Sequence, residues 1–85
     1  MKIVYSPQFA RQYKNLPMSL KLIAEKKEVV FRANPFDGRL KTHKLQGRLK
    51  DFWAFSLDRK NRIIFEFGER GAVFFHSVGD HSIYQ

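Results

Sequence analysis

The sequence contains no cysteine and no long apolar run, and each of these absences excludes a class of protein. Without cysteine the chain has neither a disulfide framework nor a thiolate metal site. No apolar run approaches the roughly 18 residues that span a bilayer, and the first residues lack the long apolar stretch of a signal peptide. We therefore expect a cytoplasmic protein that does not use a membrane.

The residues that are present favour one folded unit. The chain of 85 residues is 44% hydrophobic and 15% aromatic, which is too rich in core-forming side chains for a disordered tail. A chain of this length has room for one modest core. We predict a single domain over residues 1–85.

The charge is strongly one-sided, with sixteen Lys and Arg against eight Asp and Glu and a net charge of +8. This favours a polyanionic partner, with nucleic acid first, although excess lysine can also serve only to keep a small protein soluble. The stretch from Gly38 to Lys50 has no acid at all and holds Arg39, Lys41, His43, Lys44, Arg48 and Lys50. Phosphate binding there would weaken steeply with salt. The alternative is that these charges deter aggregation at a sheet edge.

Periodicity and turn residues predict an α+β fold. A short β-branched segment, Lys2 to Tyr5, leads into Ser6-Pro7, which is typical of a helix start. Pro17 breaks this first helix, and a second follows to about Ala33 before Asn34-Pro35. The remaining chain predicts four strands with short turns, at about 39–45, 52–58, 62–67 and 72–78. We expect two N-terminal helices on one face of a mostly antiparallel, twisted sheet, with the other face open.

Alternation along the strands assigns side chains to the two faces of this sheet. In the strand 52–58, Trp53, Phe55 and Leu57 share one side and are predicted to face the core. In the strand 62–67, Ile63 and its alternate neighbours point together, which sends Arg62 to the opposite face. Arg62 is therefore expected on the open side of the sheet.

The sequence contains three histidines, His43, His76 and His81. Histidine exchanges protons near neutral pH, so two of them beside a phosphate can serve as acid and base in RNA cleavage. Burial habits favour a packed strand residue for His76, whereas His81 follows the last strand and is expected to be exposed. No recognised metal-ligand spacing is present, so we expect neither metal nor cofactor.

Several segments, taken in order, resemble the RelE/ParE toxin superfamily and within it the ribonucleases of the RelE/YafQ type. His43-Lys44-Leu45-Gln46-Gly47 is similar to the H-x-L-x-G turn of that family, and Arg62-Ile63-Ile64-Phe65 to its arginine-led strand. Val78-Gly79-Asp80-His81 with Tyr84 is similar to its C-terminal ending. The order of elements resembles that fold over essentially the whole chain.

The resemblance implies the toxin of a type II toxin-antitoxin system, neutralised by a cognate antitoxin. Such a toxin is a metal-independent endoribonuclease that cleaves mRNA in the ribosomal A site through attack of the 2′-hydroxyl on the adjacent phosphate. By position, His81 would be general acid or base, His43 its counterpart or a phosphate ligand, Arg62 the stabiliser of the transition state and Tyr84 an orienting group. The cations expected to hold RNA are Arg39, Lys41, Lys44, Arg48, Lys50, Arg59 and Lys60.

Two alternatives remain open at this point. A ParE-like toxin shares the fold and inhibits DNA gyrase without cutting nucleic acid. A non-catalytic RNA-binding module would need the positive charge alone. ParE-like relatives generally lack a histidine and arginine constellation, so the resemblance through His43, Arg62 and His81 favours the nuclease.

Overall fold

The computed structural model describes residues 1–84. Its helices and strands, in chain order, are β1 (Lys2–Tyr5), α1 (Pro7–Lys14), α2 (Met18–Ala33), β2 (His43–Lys44), β3 (Trp53–Ser56), β4 (Arg62–Phe67) and β5 (Ala72–Gly79). Three short 3₁₀ turns lie at Gly38–Leu40, Gly47–Leu49 and His81–Tyr84, and the last of these is named here the C-terminal turn. Within the described residues, neither helix has the length and apolar character needed to cross a membrane.

The five strands form one mixed sheet in the order β1-β5-β4-β3-β2. Strand β1 runs parallel to β5, while every other neighbouring pair is antiparallel. Buried residues of both helices share one core with β3, β4 and β5, so the helices cover one face of the sheet. The predicted α+β fold is confirmed.

The helices begin and end where the sequence predicts. The hydroxyl of Ser6 accepts a hydrogen bond from the backbone N–H of Phe9 at 2.9 Å, and Pro7 occupies the first helical position. This satisfies one of the amide donors that a helix leaves free at its start. The second helix starts after Pro17 and ends at Asn34, whose backbone is extended because a proline follows it.

The centre of the core is built around Phe31 of α2, which is fully buried. Its ring lies 4.9 Å from those of Phe55 and Phe65 and 5.4 Å from that of Phe75, measured between centroids. Offset and edge-on contacts of this kind add to the stabilisation from burial alone. Three strands and a helix are therefore fixed to one another through four rings.

The strand predicted at 39–45 is wrong over most of its length. Asp37 accepts the backbone N–H of Arg39 at 2.9 Å and starts a 3₁₀ turn there. Leu40 is fully buried, and Lys41 adopts a left-handed backbone with φ of 53°. Extended pairing is thereby limited to His43–Lys44, since burial of Leu40 and the local cap outweigh the strand propensity of this segment.

The face of the sheet opposite the helices is partly covered, contrary to the prediction of an open face. Ala54, Ile64 and Ser77 are paired across three strands and fully buried there. A bulge in β5 opposite Ile64 and Phe65 leaves His76 without a partner in the ladder. The C-terminal turn folds back over the same face, with Ile83 seated against Gly79 so closely that an added Cβ would lie 2.8 Å from its methyl group.

Candidate functional site

A cleft lies on this face of the sheet, which is opposite the helices and is called here the second face, where β4 begins and β5 ends. Its volume is about 560 Å³. The residues that line it come from the β3–β4 turn, from the first position of β4 and from the C-terminal turn, and they are Arg59, Lys60, Arg62, Asp80, His81, Ser82 and Tyr84. Two elements far apart in sequence therefore place an arginine, a histidine and a tyrosine around one space.

Arg62 is held rigidly at the base of the cleft. It pairs with Ser56 on one side and Gly79 on the other, which fixes its side chain on the second face. Its Nη1 donates to the backbone carbonyls of Asp58 at 2.9 Å, Asn61 at 3.2 Å and Arg59 at 3.3 Å. Its Nε and Nη2 donate to no group within residues 1–84, so one edge of the guanidinium is available to an anion in the cleft.

The turn that holds Arg62 is itself shaped by Asp58. One carboxylate oxygen of Asp58 accepts the backbone N–H groups of Lys60 at 2.9 Å and Asn61 at 2.7 Å, as well as the Asn61 side-chain amide at 3.1 Å. Partial desolvation acts to raise the pKa of Asp58, but these donors outweigh it and the pKa lies below its ordinary value. The ionised carboxylate thus orients the three carbonyls toward Arg62.

The C-terminal turn supplies the opposite wall. Asp80 begins it by accepting the backbone N–H of Ser82 at 3.0 Å, and hydrogen bonding from Ser82 lowers the pKa of Asp80. The rings of His81 and Tyr84 lie 5.4 Å apart, with His81 exposed and Tyr84 half-buried. Burial raises the pKa of Tyr84, while the positive charge of Arg62 opposes that rise. The phenol is therefore a neutral hydrogen-bond donor at neutral pH.

His43 shares the face of Arg62 but lies outside the cleft. It is paired with Ala54, which is paired with Ile64, so its side chain emerges on the same side of the sheet as that of Arg62. Two strand spacings across and two residues along separate His43 from Arg62, a backbone distance of roughly 12 Å. The ring is exposed, with Nδ1 3.0 Å from the carbonyl oxygen of Lys41.

The predicted RNA-binding cations fall into different environments. Arg59 and Lys60 line the cleft. Arg48 reaches the C-terminal turn, where its Nη2 donates to the carbonyl oxygen of Tyr84 at 3.3 Å. Lys41 and Lys50 are exposed on the connections that flank β2 and β3. The structure thus brings two of the predicted cations to the cleft and joins a third to its wall.

Arg39 and Lys44 are directed elsewhere. Arg39 forms a two-point ion pair with Asp37, at 2.9 Å and 3.0 Å, and its hydrogen bonds lower the pKa of Asp37 to about 2. Lys44 is paired with Trp53, whose ring packs against the core on the helix-bearing face, and the ammonium lies 5.9 Å from that ring. These two cations do not face the cleft.

His76 is a further histidine on the second face, where it is a half-buried strand residue in agreement with the prediction that it packs within a strand. The bulge places it beside Ser77, with Nδ1 3.3 Å from the hydroxyl, and its ring centroid is 4.9 Å from that of Phe52. Strict alternation along β5 would not predict two consecutive residues on one face, so only the bulge accounts for it. Within residues 1–84, no set of three His, Asp or Glu side chains is placed to hold a metal ion.

Several solved structures with the same architecture are toxins. A YoeB/ParE toxin from Agrobacterium tumefaciens superimposes with a TM-score of 0.81 and 16% identity, covering 95% of this chain and 99% of its own. YafQ from E. coli strain BL21(DE3) superimposes with a TM-score of 0.72 and 20% identity, covering 98% and 96%. This chain has the fold of the YafQ and YoeB toxins.

The YafQ-type fold is also seen in a toxin-antitoxin complex. The DinJ-YafQ toxin-antitoxin complex of E. coli matches with a TM-score of 0.69 and 21% identity, over 96% of this chain and 93% of that one. No protein-family model and no curated protein matches the sequence. At these sequence identities the likeness establishes the fold alone, because an activity depends on the residues of the site and not on the fold.

Proposed function

We propose that this protein is the toxin of a type II toxin-antitoxin system and that it cleaves mRNA on the ribosome without a metal ion. The observation that carries the proposal is the cleft, in which Arg62, His81 and Tyr84 meet on a YafQ-type fold. We propose two partners for the protein, and the first is an antitoxin, as DinJ is for YafQ. The second is the ribosome with its bound mRNA.

The chemistry starts from the ribose. A base removes the 2′-hydroxyl proton, the oxygen attacks the adjacent phosphorus, and an acid protonates the departing 5′-oxygen. The products are a 2′,3′-cyclic phosphate and a 5′-hydroxyl. His81 is assigned to one of the two proton transfers, because it is exposed and lines the same cleft as Arg62, which would bind the phosphate.

Arg62 is assigned to stabilise the negative charge that develops on the phosphorane. Its Nη1 is already anchored to three carbonyls, so the free Nε and Nη2 are preorganised and need no reorientation during the reaction. Tyr84 donates from a neutral phenol and orients the nucleotide. Arg59 and Lys60 attract the backbone at the mouth of the cleft.

His43 is assigned to the second proton transfer or to a flanking phosphate. His43 and Arg62 share one face of the sheet, and an RNA strand bound across that face would bridge the roughly 12 Å between their backbones. The ring is exposed, and its Nε2 is directed away from the contact with Lys41. Arg48 adds positive charge at the C-terminal turn, and the exposed Lys41 and Lys50 on the connections that flank β2 and β3 are proposed to bind flanking phosphates.

A gyrase-inhibiting, ParE-like activity is the second candidate, because the Agrobacterium neighbour carries both the YoeB and the ParE names. The two are separated by incubating the purified protein with mRNA-programmed ribosomes and, in parallel, with gyrase and relaxed plasmid. We expect discrete cuts in the mRNA and unchanged supercoiling. Intact mRNA with reduced supercoiling would establish the ParE-like activity, and no effect in either assay would leave a binding module.

A further inference from the structure

The second face continues beyond the cleft into a row of side chains that the proposed reaction does not use. Glu66 follows Arg62 by four positions on β4, so both side chains lie on this face, roughly 13 Å apart along the strand. Glu66 is paired with Phe74 of β5, which places the Phe74 side chain on the same face. The row is named here the platform, and its residues are Phe52, Glu66, Phe74 and His76.

Two rings of the platform stand on one side of Glu66. Trp53 is paired with Phe65, so Phe52, which precedes Trp53, lies beside Glu66. The bulge in β5 turns His76 to the same face. The ring centroids of Phe52 and His76 are 4.9 Å apart, with the planes tilted by 56°. Both residues are half-buried, so each keeps some surface exposed to solvent.

Phe74 stands on the other side of Glu66 and is 39% exposed. One edge of its ring rests against Gly68, where an added Cβ would overlap the ring. Val4, which is paired with Phe74, is exposed beside it. Exposed aromatic rings that are fixed on the surface of a sheet are a common support for stacked nucleobases.

Glu66 is a carboxylate without a partner among residues 1–84, where it forms no hydrogen bond or ion pair. A carboxylate offers two oxygens that only accept hydrogen bonds. Guanine presents two adjacent donors, N1–H and the N2 amino group, on its pairing edge. On the pairing edges of adenine, cytosine and uracil, each donor is next to an acceptor that the carboxylate would repel. The free carboxylate therefore favours guanine among the four bases.

We propose that the platform binds a guanine base of the mRNA close to the bond that is cut. The base stacks on the exposed aromatic surface, and its N1–H and N2 amino group donate to the carboxylate of Glu66. This inference rests on the proposed function, because an RNA strand held in the cleft reaches the platform by continuing along β4. The distance of roughly 13 Å from Arg62 to Glu66 exceeds the roughly 3.4 Å rise of one stacked nucleotide. The guanine therefore belongs to a neighbouring nucleotide and not to the one that is attacked.

The first test measures binding without cleavage. Pentanucleotides with guanosine, inosine or adenosine between uridines are fully 2′-O-methylated, so that no hydroxyl can attack, and their affinities are measured by fluorescence anisotropy. The guanosine strand is expected to bind about tenfold more tightly than the inosine strand, whose base lacks the N2 amino group, because a hydrogen bond to a charged group is lost. Adenosine should bind more weakly than guanosine by at least the same factor. Equal affinities for the three strands would overturn the proposal.

The carboxylate is tested by Glu66→Gln. The amide presents one acceptor and one donor, so the preference for guanosine over inosine should fall below about twofold. Glu25→Gln, which changes an exposed acid on α2, is the matched control and should keep the full preference. An unchanged preference in Glu66→Gln would refute the role of the carboxylate.

The rings are tested by Phe74→Ala and Phe74→Leu. Both remove the stacking surface, and the leucine keeps the apolar bulk, so each should weaken binding of the guanosine strand by about fivefold or more. Phe36→Ala removes an exposed phenylalanine that packs with Trp53 and Phe67 away from the second face, and it should leave binding unchanged. Thermal melts establish that each variant is folded. Full affinity in folded Phe74→Leu would refute the stacking surface.

Mapping of the cuts in ribosome-bound mRNA separates this inference from the proposed function. The wild-type protein is expected to cut at a fixed distance from a guanine, and Glu66→Gln to cut without regard to guanine. Cleavage by the wild type with no guanine preference in binding or in cutting would refute the platform and leave the proposed function standing. Selective binding of guanosine by a protein that leaves mRNA intact would support the base site and refute the proposed function.

Discussion

Replacement of Arg62 by alanine tests the role of the cleft, because the donors that Arg62 presents there determine how far kcat should fall. The change removes the donors Nε and Nη2 that face the cleft, together with the Nη1 anchored by three carbonyls. Loss of one preorganised donor to a transition-state anion costs about 10²- to 10³-fold in turnover. We therefore expect kcat on ribosome-bound mRNA to fall by that factor, while affinity for the ribosome changes little because the interaction forms fully only in the transition state.

The effect of Arg62→Ala on stability should be small. The three carbonyls that Nη1 contacts belong to an exposed turn, so water replaces the lost donor, and the free energy of unfolding should fall by only about 1 kcal/mol. For a domain of this size that lowers Tm by about 4–8 °C. Arg11→Ala, which removes an exposed arginine from α1, is the matched control and should retain full activity.

Single-turnover cleavage and ribosome binding, measured for both variants, decide the matter. Arg62→Lys is informative beside them, because one ammonium cannot contact the carbonyls and an anion in the cleft with the geometry of a planar guanidinium. We expect it to recover less than about a tenth of the activity. Equal losses of turnover and affinity in Arg62→Ala would make Arg62 a docking residue, and an unchanged rate would exclude Arg62 from the catalytic step.

Three further predictions concern the surroundings of the cleft and the core. His81→Ala should lower the cleavage rate about 10²- to 10⁴-fold and abolish growth inhibition with an unchanged thermal melt; a fully toxic variant would remove His81 from the mechanism. Asp58→Ala frees the turn carbonyls and should lower turnover without weakening ribosome binding, and Asp58→Asn, which can shape the same turn, should restore it; failure of this rescue would contradict a positioning role. Phe31→Ala should lower the free energy of unfolding by about 3–5 kcal/mol in urea titrations, against less than about 0.5 kcal/mol for the exposed Leu22→Ala; similar losses would refute Phe31 as the centre of the core.

Local sequence rules account for much of the fold. Prolines at positions 7, 17 and 35 fix the limits of both helices, because each restricts its own backbone or that of the preceding residue. The strand that starts at Arg62 was placed correctly, since its alternation and the preceding Asp58-to-Asn61 turn agree. The face of Arg62, on which the candidate site depends, followed from that alternation.

The features that could not be predicted depend on contacts between distant segments. The bulge at His76 reverses the alternation of β5, and nothing in the residues around it marks the break. Burial of Leu40 and the cap from Asp37 convert most of a predicted strand into a 3₁₀ turn. The fold-back of the C-terminal turn requires that Gly79 lack a Cβ where Ile83 packs.

The distribution of charge shows the same limit. The basic stretch was interpreted as one anion-binding surface, whereas Arg39 is paired with Asp37 and Lys44 lies over Trp53 on the other face. The face of the sheet on which a residue lies and the ion pairs it forms decide which cations face the cleft. Neither property can be obtained from a count of basic residues.

We propose that the cleft directs a ribose hydroxyl at the adjacent phosphate. The most direct test places a single 2′-deoxynucleotide on the 5′ side of the scissile phosphate in mRNA bound to the ribosomal A site. We predict that cleavage at that bond is abolished, that binding of the protein to the ribosome is unchanged, and that the unmodified mRNA yields a 2′,3′-cyclic phosphate. Cleavage of the deoxy-substituted bond at the normal rate would contradict the account.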